Sequence, residues 1–288
     1  MATQQTATAA RLLMAPSVII LLLWMVVPLA MTLYFSTLYF NLLDADKLRY
    51  IGLQNYADFV SDPDFTGALV NTLVIVLWVL VITVVGGILV ALLMDQPIFG
   101  QNIVRLLVIA PFFVMPTVSA LVWKNMFMNP VSGLFAWVSQ SLGLPVIDWF
   151  TDYPMLAVII IVAWQWLPFA SLIFLTSLQS LDEEQKEAAQ LDGAGPISYF
   201  FYIVTPHMSR SITVVILIET IFLLNVFAEI RVTTNGGPST TNLPFRIFEL
   251  ATNANDVGGA AAGGVVAVIL ANIVAIFLMR MIGKNLEA

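Results

Sequence analysis

Across 288 residues, hydrophobic side chains make up 60% and charged ones only 10%, with a mean hydropathy of +0.93. A water-soluble domain carries about 45–50% apolar and about 25% charged residues, so this composition excludes one and specifies a polytopic membrane protein. The absence of cysteine excludes disulfides and thiolate sites, and a net charge of -7 spread over loops argues against a nucleic-acid surface.

A membrane-crossing helix needs about 20 mostly apolar residues. Six runs reach that length, at roughly Leu12–Phe40, Ala68–Met94, Ile103–Phe127, Met155–Leu178, Ile212–Ile230 and Gly259–Ile282. They predict an all-α fold of six transmembrane helices in a single membrane domain over residues 1–288, because the bilayer interior offers no water to free backbone groups. Continuous runs such as NTLVIVLWVLVITVV lack the alternation of a membrane barrel. The first run is too long for a signal peptide, follows Arg11 alone and shows no small-residue cleavage site, so it is expected to stay in the chain. No internal repeat or low-complexity linker interrupts the pattern.

Six spans place both termini on one side. With that side inside, the inner segments hold Arg11, Arg105, Lys186, Arg210, Arg280 and Lys284, and the outer ones Lys47, Arg49, Lys124, Arg231 and Arg246. Six against five is a small bias toward N-terminus inside. The outer loops are then the longer ones. The first carries Asp44, Asp46, Asp58, Asp62 and Asp64, and the last carries TTNGGPSTTN, whose glycines allow positive φ.

Between the fourth and fifth runs lies LDEEQKEAAQLDGAG, an acidic island with strong helix formers. Asp182 can cap a helix, with Gln185 completing a capping-box spacing, and Glu183 and Glu184 suit its positive end. Gly193 suits the left-handed residue that ends it. The helix from Asp182 to Asp192 would be about 16 Å long. GPISYFFYIVTP then starts a second short helix at Pro196, which Pro206 ends or kinks. The spacing predicts a helix-turn-helix across the membrane face, at about residues 181–209. Ala188 and Ala189 leave a narrow face that a groove on another protein could approach closely. A lipid-bound interfacial helix would carry several Lys or Arg on its polar face, whereas here Lys186 stands alone among five carboxylates.

The spacing Glu187-Ala188-Ala189, Gly193, Ile203, Pro206 resembles the EAA loop of ABC importer membrane subunits, whose pattern is EAA, three residues, Gly, nine residues, Ile, any residue, Leu, Pro. The chain departs from it at Thr205, a helix-packing position. IGLQNYADFVSDPDF, APFFVMPTVSALVWKNMFMNPVSGLF and VFAEIRVTTNGGP followed by TTN extend the likeness to maltose-type sugar permeases. Within these the chain is most similar to sorbitol/mannitol (polyol) transporter permeases, through VIAPFFVMPTVSALVWKNMFMNP and GGVVAVILANIVAIFLMRMIGKNLEA.

The resemblance implies a type I importer permease fold in a bacterial inner membrane, with the EAA loop and both termini cytoplasmic. It implies a second homologous permease, a dimer of ATPase subunits and a periplasmic substrate-binding protein. Asp182, Glu183, Glu187, Ala188, Ala189, Asp192, Gly193, Ile203 and Pro206 would couple to the ATPase, with Glu187 pairing a basic group there. The chain has no G-x-x-x-x-G-K-[ST] loop, so ATP and Mg belong to the partner ATPase, and no cofactor is expected on this subunit. Asp58, Asp62 and Gly236-Gly237-Pro238 would lie near the surface that receives the binding protein.

A sugar or polyol needs polar partners for hydroxyls and aromatic faces for C–H surfaces. Trp78, Trp123, Trp164, Gln165, Trp166, Glu219, Asn225 and Glu229 are the candidates in or near spans, while Trp24 and Trp149 fit the interfacial aromatic belt. Asn225 and Glu229, four apart, would share a helical face that Glu219 does not. No Arg or Lys lies near a span centre, which favours a neutral solute. His207, the lone histidine, reads as a loop residue and no metal site is expected. The small residues Gly258–Gly264 suit close helix packing. The competing reading is a proton-coupled secondary transporter using Glu219 or Glu229, which would leave the EAA spacing unexplained.

Overall fold

A computed structural model describes residues 2–97, 99–237 and 239–283. In chain order its elements are α1 (Ala2–Phe35), β1 (Leu38–Tyr39), β2 (Arg49–Tyr50), α2 (Gln54–Ser61), α3 (Pro63–Asp95), α4 (Gln101–Ile109), α5 (Pro116–Val122), α6 (Leu134–Ser141), α7 (Trp149–Asp152), α8 (Pro154–Gln179), α9 (Glu183–Leu191), α10 (Pro196–Tyr199), α11 (Thr205–Leu223), α12 (Ala228–Thr233), α13 (Leu243–Thr252) and α14 (Val257–Gly283). Among the described residues, five helices are long and apolar enough to cross a membrane: Leu13–Phe35, Pro63–Asp95, Pro154–Gln179, Pro196–Leu223 and Val257–Arg280. A sixth span results if the bent pair Gln101–Phe113 and Pro116–Phe127 is counted as one.

Three of the predicted runs change shape. The first helix ends at Phe35 rather than Phe40, because Leu38 and Tyr39 turn into a strand that pairs with Tyr50 and Arg49. The third run is not one straight span. It bends by 106° between Phe113 and Pro116. Proline disfavours helical backbone in the residue before it, and Met115 is accordingly extended at φ -59, ψ 139. The fifth run starts earlier and ends earlier than expected. Helix runs from Pro196 through a wide π turn at Phe200–Val204 and on to Leu223, where it breaks. Pro206 therefore neither ends nor isolates a second short helix. The π turn makes room for its ring, and the N–H and hydroxyl of Thr205 both serve the Phe200 carbonyl.

The chain divides into two compact units, one of residues up to Phe65 with Arg246–Ile269, the other of Thr66–Phe245 with the residues from Leu270 onward. In the first, a small knob follows α1. The buried amide of Asn55 donates to the carbonyls of Ser36 (2.9 Å) and Leu38 (2.8 Å), and Ser36 bonds the Tyr56 hydroxyl at 2.6 Å. The backbone N–H groups of Val257 and Gly258 both donate to Phe40, so the start of α14 closes on the knob. Its small residues pack as expected, with Ala260 and Ala262 buried.

In the second unit α8 is the central post, buried along most of its length. One apolar cluster joins Ile75, Val76 and Val79 of α3 to Val158, Ile159 and Val162 of α8 and to Leu223 and Ile230. Another joins Ala91 and Met94 to Ala170, Phe174, Met208 and Val215. Helices in lipid gain by close packing rather than by hydrophobic expulsion, so small residues mark their seams. Gly87 is such a point: a methyl group there would come within 2.9 Å of the Ala170 side chain. Lys284 lies outside the described residues.

Candidate functional site

The acidic island forms α9, with its acids in the first turn and its expected left-handed end. Asp182 precedes the helix, its carbonyl accepting the Gln185 N–H at 3.1 Å, and Glu183 and Glu184 fill the first turn. At the other end the Asp192 N–H donates to Ala188 (3.0 Å) and the Ala194 N–H reaches back to Ala189 (2.9 Å). That last bond skips five residues, which requires the chain to turn left-handed, and Gly193 does so at φ +75. A methyl group at Gly193 would touch nothing within 4 Å, so glycine is needed there for its backbone angle and not for space. Ala189 is buried, while Asp182, Glu183, Glu187, Ala188 and Asp192 are exposed. Among its described side chains, the helix thus buries Ala189 alone and presents Glu187 outward.

Beneath it lies a cavity of about 700 Å³, walled by Leu92 and Asp95 of α3, Leu178 of α8, Lys186 of α9 and Tyr199 and Phe200 beyond. Ile203 is half-buried in the π turn, and Pro206 is exposed at the start of α11. His207 is in that helix too, not in a loop. Its Nε2 bonds the Ser177 carbonyl at 3.0 Å and the Ser180 hydroxyl at 3.1 Å, which serves the free carbonyls at the end of α8. Gln101 (2.9 Å) and Arg105 (3.1 Å) do the same for the Met94 carbonyl near the end of α3. The helix ends around α9 are therefore tied to each other by side chains.

The polar candidates of the spans do not form one cluster. Glu219 is 0% exposed, and its Oε2 accepts the Thr83 hydroxyl at 2.5 Å, joining α11 to α3. Its Oε1 is buried without a hydrogen-bond partner. Gln165 is buried as well, and its amide donates to the Val114 carbonyl at 2.9 Å. Val114 sits in the bend of the broken span, where a free carbonyl inside a membrane must find a donor. Trp164 is half-buried and stands edge-on to Trp123, with ring centres 5.7 Å apart.

The shared face expected of Asn225 and Glu229 does not exist. The helix breaks after Leu223, so Asn225 is exposed in the break, its amide bonding the Ile221 carbonyl at 2.8 Å, while Glu229 is buried in α12. Trp78 also stands apart. With Val74 and Ile82 it lines an outward groove of about 480 Å³ with Tyr153 and Ile159, whereas Thr83 and Val79 point into the core. Lys124 donates to the carbonyls of Val232 (3.0 Å) and Thr233 (2.8 Å), closing the end of α12.

One grouping escaped the sequence. Trp166 meets Phe112 (5.7 Å), Phe169 (5.9 Å) and Phe222 (5.1 Å), an aromatic patch whose Phe222 remains exposed, three residues before Asn225. The spacing of Trp166 and Phe169 was a local signal, but Phe112 and Phe222 come from distant segments.

Of the outer-loop acids, Asp58 accepts from Gln54 at 2.7 Å and Asp62 pairs with Arg246 at 2.5 Å. Burial raises the Asp62 carboxyl, but the Arg246 hydrogen bond and charge, with the Asp64 N–H, bring it below its ordinary value. Arg246 also faces Asp64 (3.8 Å) and Glu249 (3.6 Å). Gly236 (φ +83) and Gly237 (φ +98) have the expected positive angles, and Pro238 lies outside the described residues.

Residues 60–288 match the family described as binding-protein-dependent transport system inner membrane component. The sulfoquinovosyl glycerol transport system permease SmoG of Agrobacterium fabrum is 31% identical, over 94% of this chain and 89% of the relative. The multiple sugar-binding transport system permease MsmF of Streptococcus mutans is 27% identical, over 82% of each. Among solved structures, a bacterial alginate ABC transporter in complex with alginate pentasaccharide-bound periplasmic protein matches with a TM-score of 0.81 and 22% identity, over 97% of this chain and 94% of that one. That likeness concerns the fold, which is that of a type I importer permease. With the family pattern covering residues 60–288, most of the chain, the chain belongs to the inner membrane components of binding-protein-dependent transport systems.

Proposed function

We propose that this chain is one of two membrane-spanning permeases of an ATP-driven importer for a sugar or sugar alcohol of the sorbitol or mannitol kind. The observation that carries this reading is α9: an exposed acidic helix, closed by Gly193 at φ +75, at the EAA spacing of a chain from this family. In this account α9 enters a groove on an ATPase subunit on the cytoplasmic side, where both termini also lie. Glu187 meets a basic group, and Asp182, Glu183, Ala188 and Asp192 form the remaining contact. Ala189, Ile203 and Pro206 transmit the movement to α11. ATP and Mg act in the partner, and a periplasmic binding protein delivers the solute on the opposite face.

The names of relatives that handle sulfoquinovosyl glycerol, multiple sugars and alginate support a carbohydrate. A neutral ligand fits the cations of the broken span, since Arg105 and Lys124 are both bonded to helix-end carbonyls. The aromatic patch around Trp166, with Asn225 beside Phe222, offers a C–H surface and an amide to such a solute. Trp164, Gln165, Glu219 and Glu229 shape the pathway from behind by holding the bend and the helix seams, and Trp78 bounds its outer side. Proton coupling through Glu219 or Glu229 is not favoured, because it leaves α9 without a role.

Gly193→Val, which cannot hold the left-handed angle without strain, tests the coupling. Uptake by the assembled transporter should be lost while the subunit still inserts and assembles. Normal uptake would remove α9 from the mechanism.

A further inference from the structure

The knob between α1 and α3 shows large apolar side chains that its own small core does not use. Leu38 and Phe59 fill that core, under the hydrogen bonds of Asn55 and Ser36. Outside it, Leu43 is 78% exposed, Tyr50 76% and Leu53 72%, with Leu42 and Leu48 also exposed. A surface in water seldom gathers so many large apolar side chains within so short a stretch.

The position of the knob points to what meets them. The apolar part of α1, Leu13–Phe35, is 23 residues long, about 34 Å of helix against about 30 Å of hydrocarbon. Its last residue therefore reaches the membrane surface. Leu38 follows three residues later, within about 10 Å of chain. The knob thus continues directly from a spanning helix at the depth where apolar side chains, tyrosine and cations mix. Its cations suit that layer. Arg49 is exposed and lies over the Tyr39 ring, 5.4 Å from its centre, and Lys47 is exposed beside Asp44 at 3.0 Å. An aromatic body with a charged tip is the side-chain form favoured at headgroup level.

We propose that the segment Leu42–Leu53 is a membrane-surface anchor, seated in the phospholipid headgroup layer of the leaflet where α1 emerges through Phe35. Leu43, Tyr50 and Leu53 enter the top of the acyl region, and Arg49 and Lys47 face phosphate. The anchor would fix the depth of α1 and the height of the adjoining loop. It rests on α1 crossing the membrane and is independent of the solute carried.

Nitroxide labels test it. The chain has no cysteine, so Leu43→Cys, Tyr50→Cys and the exposed reference Asp58→Cys each give a single site. Each labelled chain is assembled with the second permease and the ATPase subunits, their reactive thiols replaced, without the binding protein, in nanodiscs of phosphatidylethanolamine and phosphatidylglycerol. At positions 43 and 50, oxygen should relax the label more than a water-soluble nickel complex does, with the reverse at 58. Two results overturn the proposal. One is nickel access at 43 and 50 equal to that at 58, which makes the knob a water-facing surface. The other is shielding from both reagents, which makes it a protein contact. If Leu43→Cys fails to assemble, Tyr50→Cys decides alone.

Discussion

Removing the Thr83 hydroxyl tests how the spans are held together. Valine replaces threonine at nearly equal volume, so Thr83→Val leaves the packing in place and deletes the bond to Glu219 together with the longer, intrahelical contact to the Leu80 carbonyl at 3.3 Å. Among the described residues, the bond to Thr83 is the one contact of the Glu219 side chain to a donor, since Oε1 has none. A buried acceptor left unpaired costs about 1–3 kcal/mol in a water-soluble protein. Measured hydrogen bonds between membrane helices are weaker, averaging about 0.6 and reaching about 1.7 kcal/mol, because the unfolded state in lipid also finds partners. The 2.5 Å distance and complete burial of Glu219 place this pair toward the upper end. Thr83→Val should therefore destabilise the fold by about 1–1.5 kcal/mol, roughly a tenfold shift in the unfolding equilibrium. In Glu219→Leu the carboxyl is gone, and adding Thr83→Val to it should cost almost nothing. A double-mutant cycle of unfolding in mixed micelles reads the difference as a coupling of about 1 kcal/mol. Additive effects of the two substitutions would refute the helix-to-helix role of Glu219.

At Gly193 the requirement is the backbone angle, so Gly193→Asn should keep most of the uptake and Gly193→Val should lose it, at a strain of about 1–2 kcal/mol. Equal uptake in both would show that α9 does not need its left-handed turn. Lys124→Met removes two charge-assisted bonds to the end of α12 and should lower stability by about 2–4 kcal/mol while leaving the ATPase rate of the complex coupled; an unchanged melting temperature would refute the tie. The Asp62–Arg246 pair has a defined pH sign. The folded carboxyl lies below its ordinary value, so the stabilisation is complete above that ordinary value, near pH 4, and fades as pH falls through the folded one. Wild type and Asp62→Asn should differ by a constant amount from pH 8 to pH 5 and converge below about pH 4. Convergence from above instead would reverse the assignment.

The acidic helix α9 was readable because its signals are local. Glu183, Glu184 and Gly193 each act within one turn of their own helix, so the first-turn acids and the left-handed end were legible in the sequence and stand in the structure. The spans were readable as hydropathy but not as shape. Pro116 was visible, yet whether a proline bends or breaks a helix depends on who serves the freed carbonyl, here that of Val114, and the donor is Gln165, 51 positions beyond Val114. The break after Leu223 has no glycine or proline to announce it, so a helical spacing was assumed for Asn225 and Glu229 where none exists. Glu219 stood out as a costly residue, but its partner Thr83 lies 136 positions away, and no periodicity connects the two. His207 followed a proline in a polar stretch and so read as a loop. Tertiary packing of α11 on the end of α8 makes it helical.

The central claim is that the movement of these spans is powered through α9 by an ATPase and not by an ion gradient. Uptake of a labelled sugar alcohol should be measured in proteoliposomes holding the complete transporter, with the binding protein outside and ATP inside. Uptake that requires ATP, survives a protonophore and disappears with Gly193→Val is the predicted result. Uptake that persists without ATP, or collapses when the proton gradient is discharged, would contradict the account.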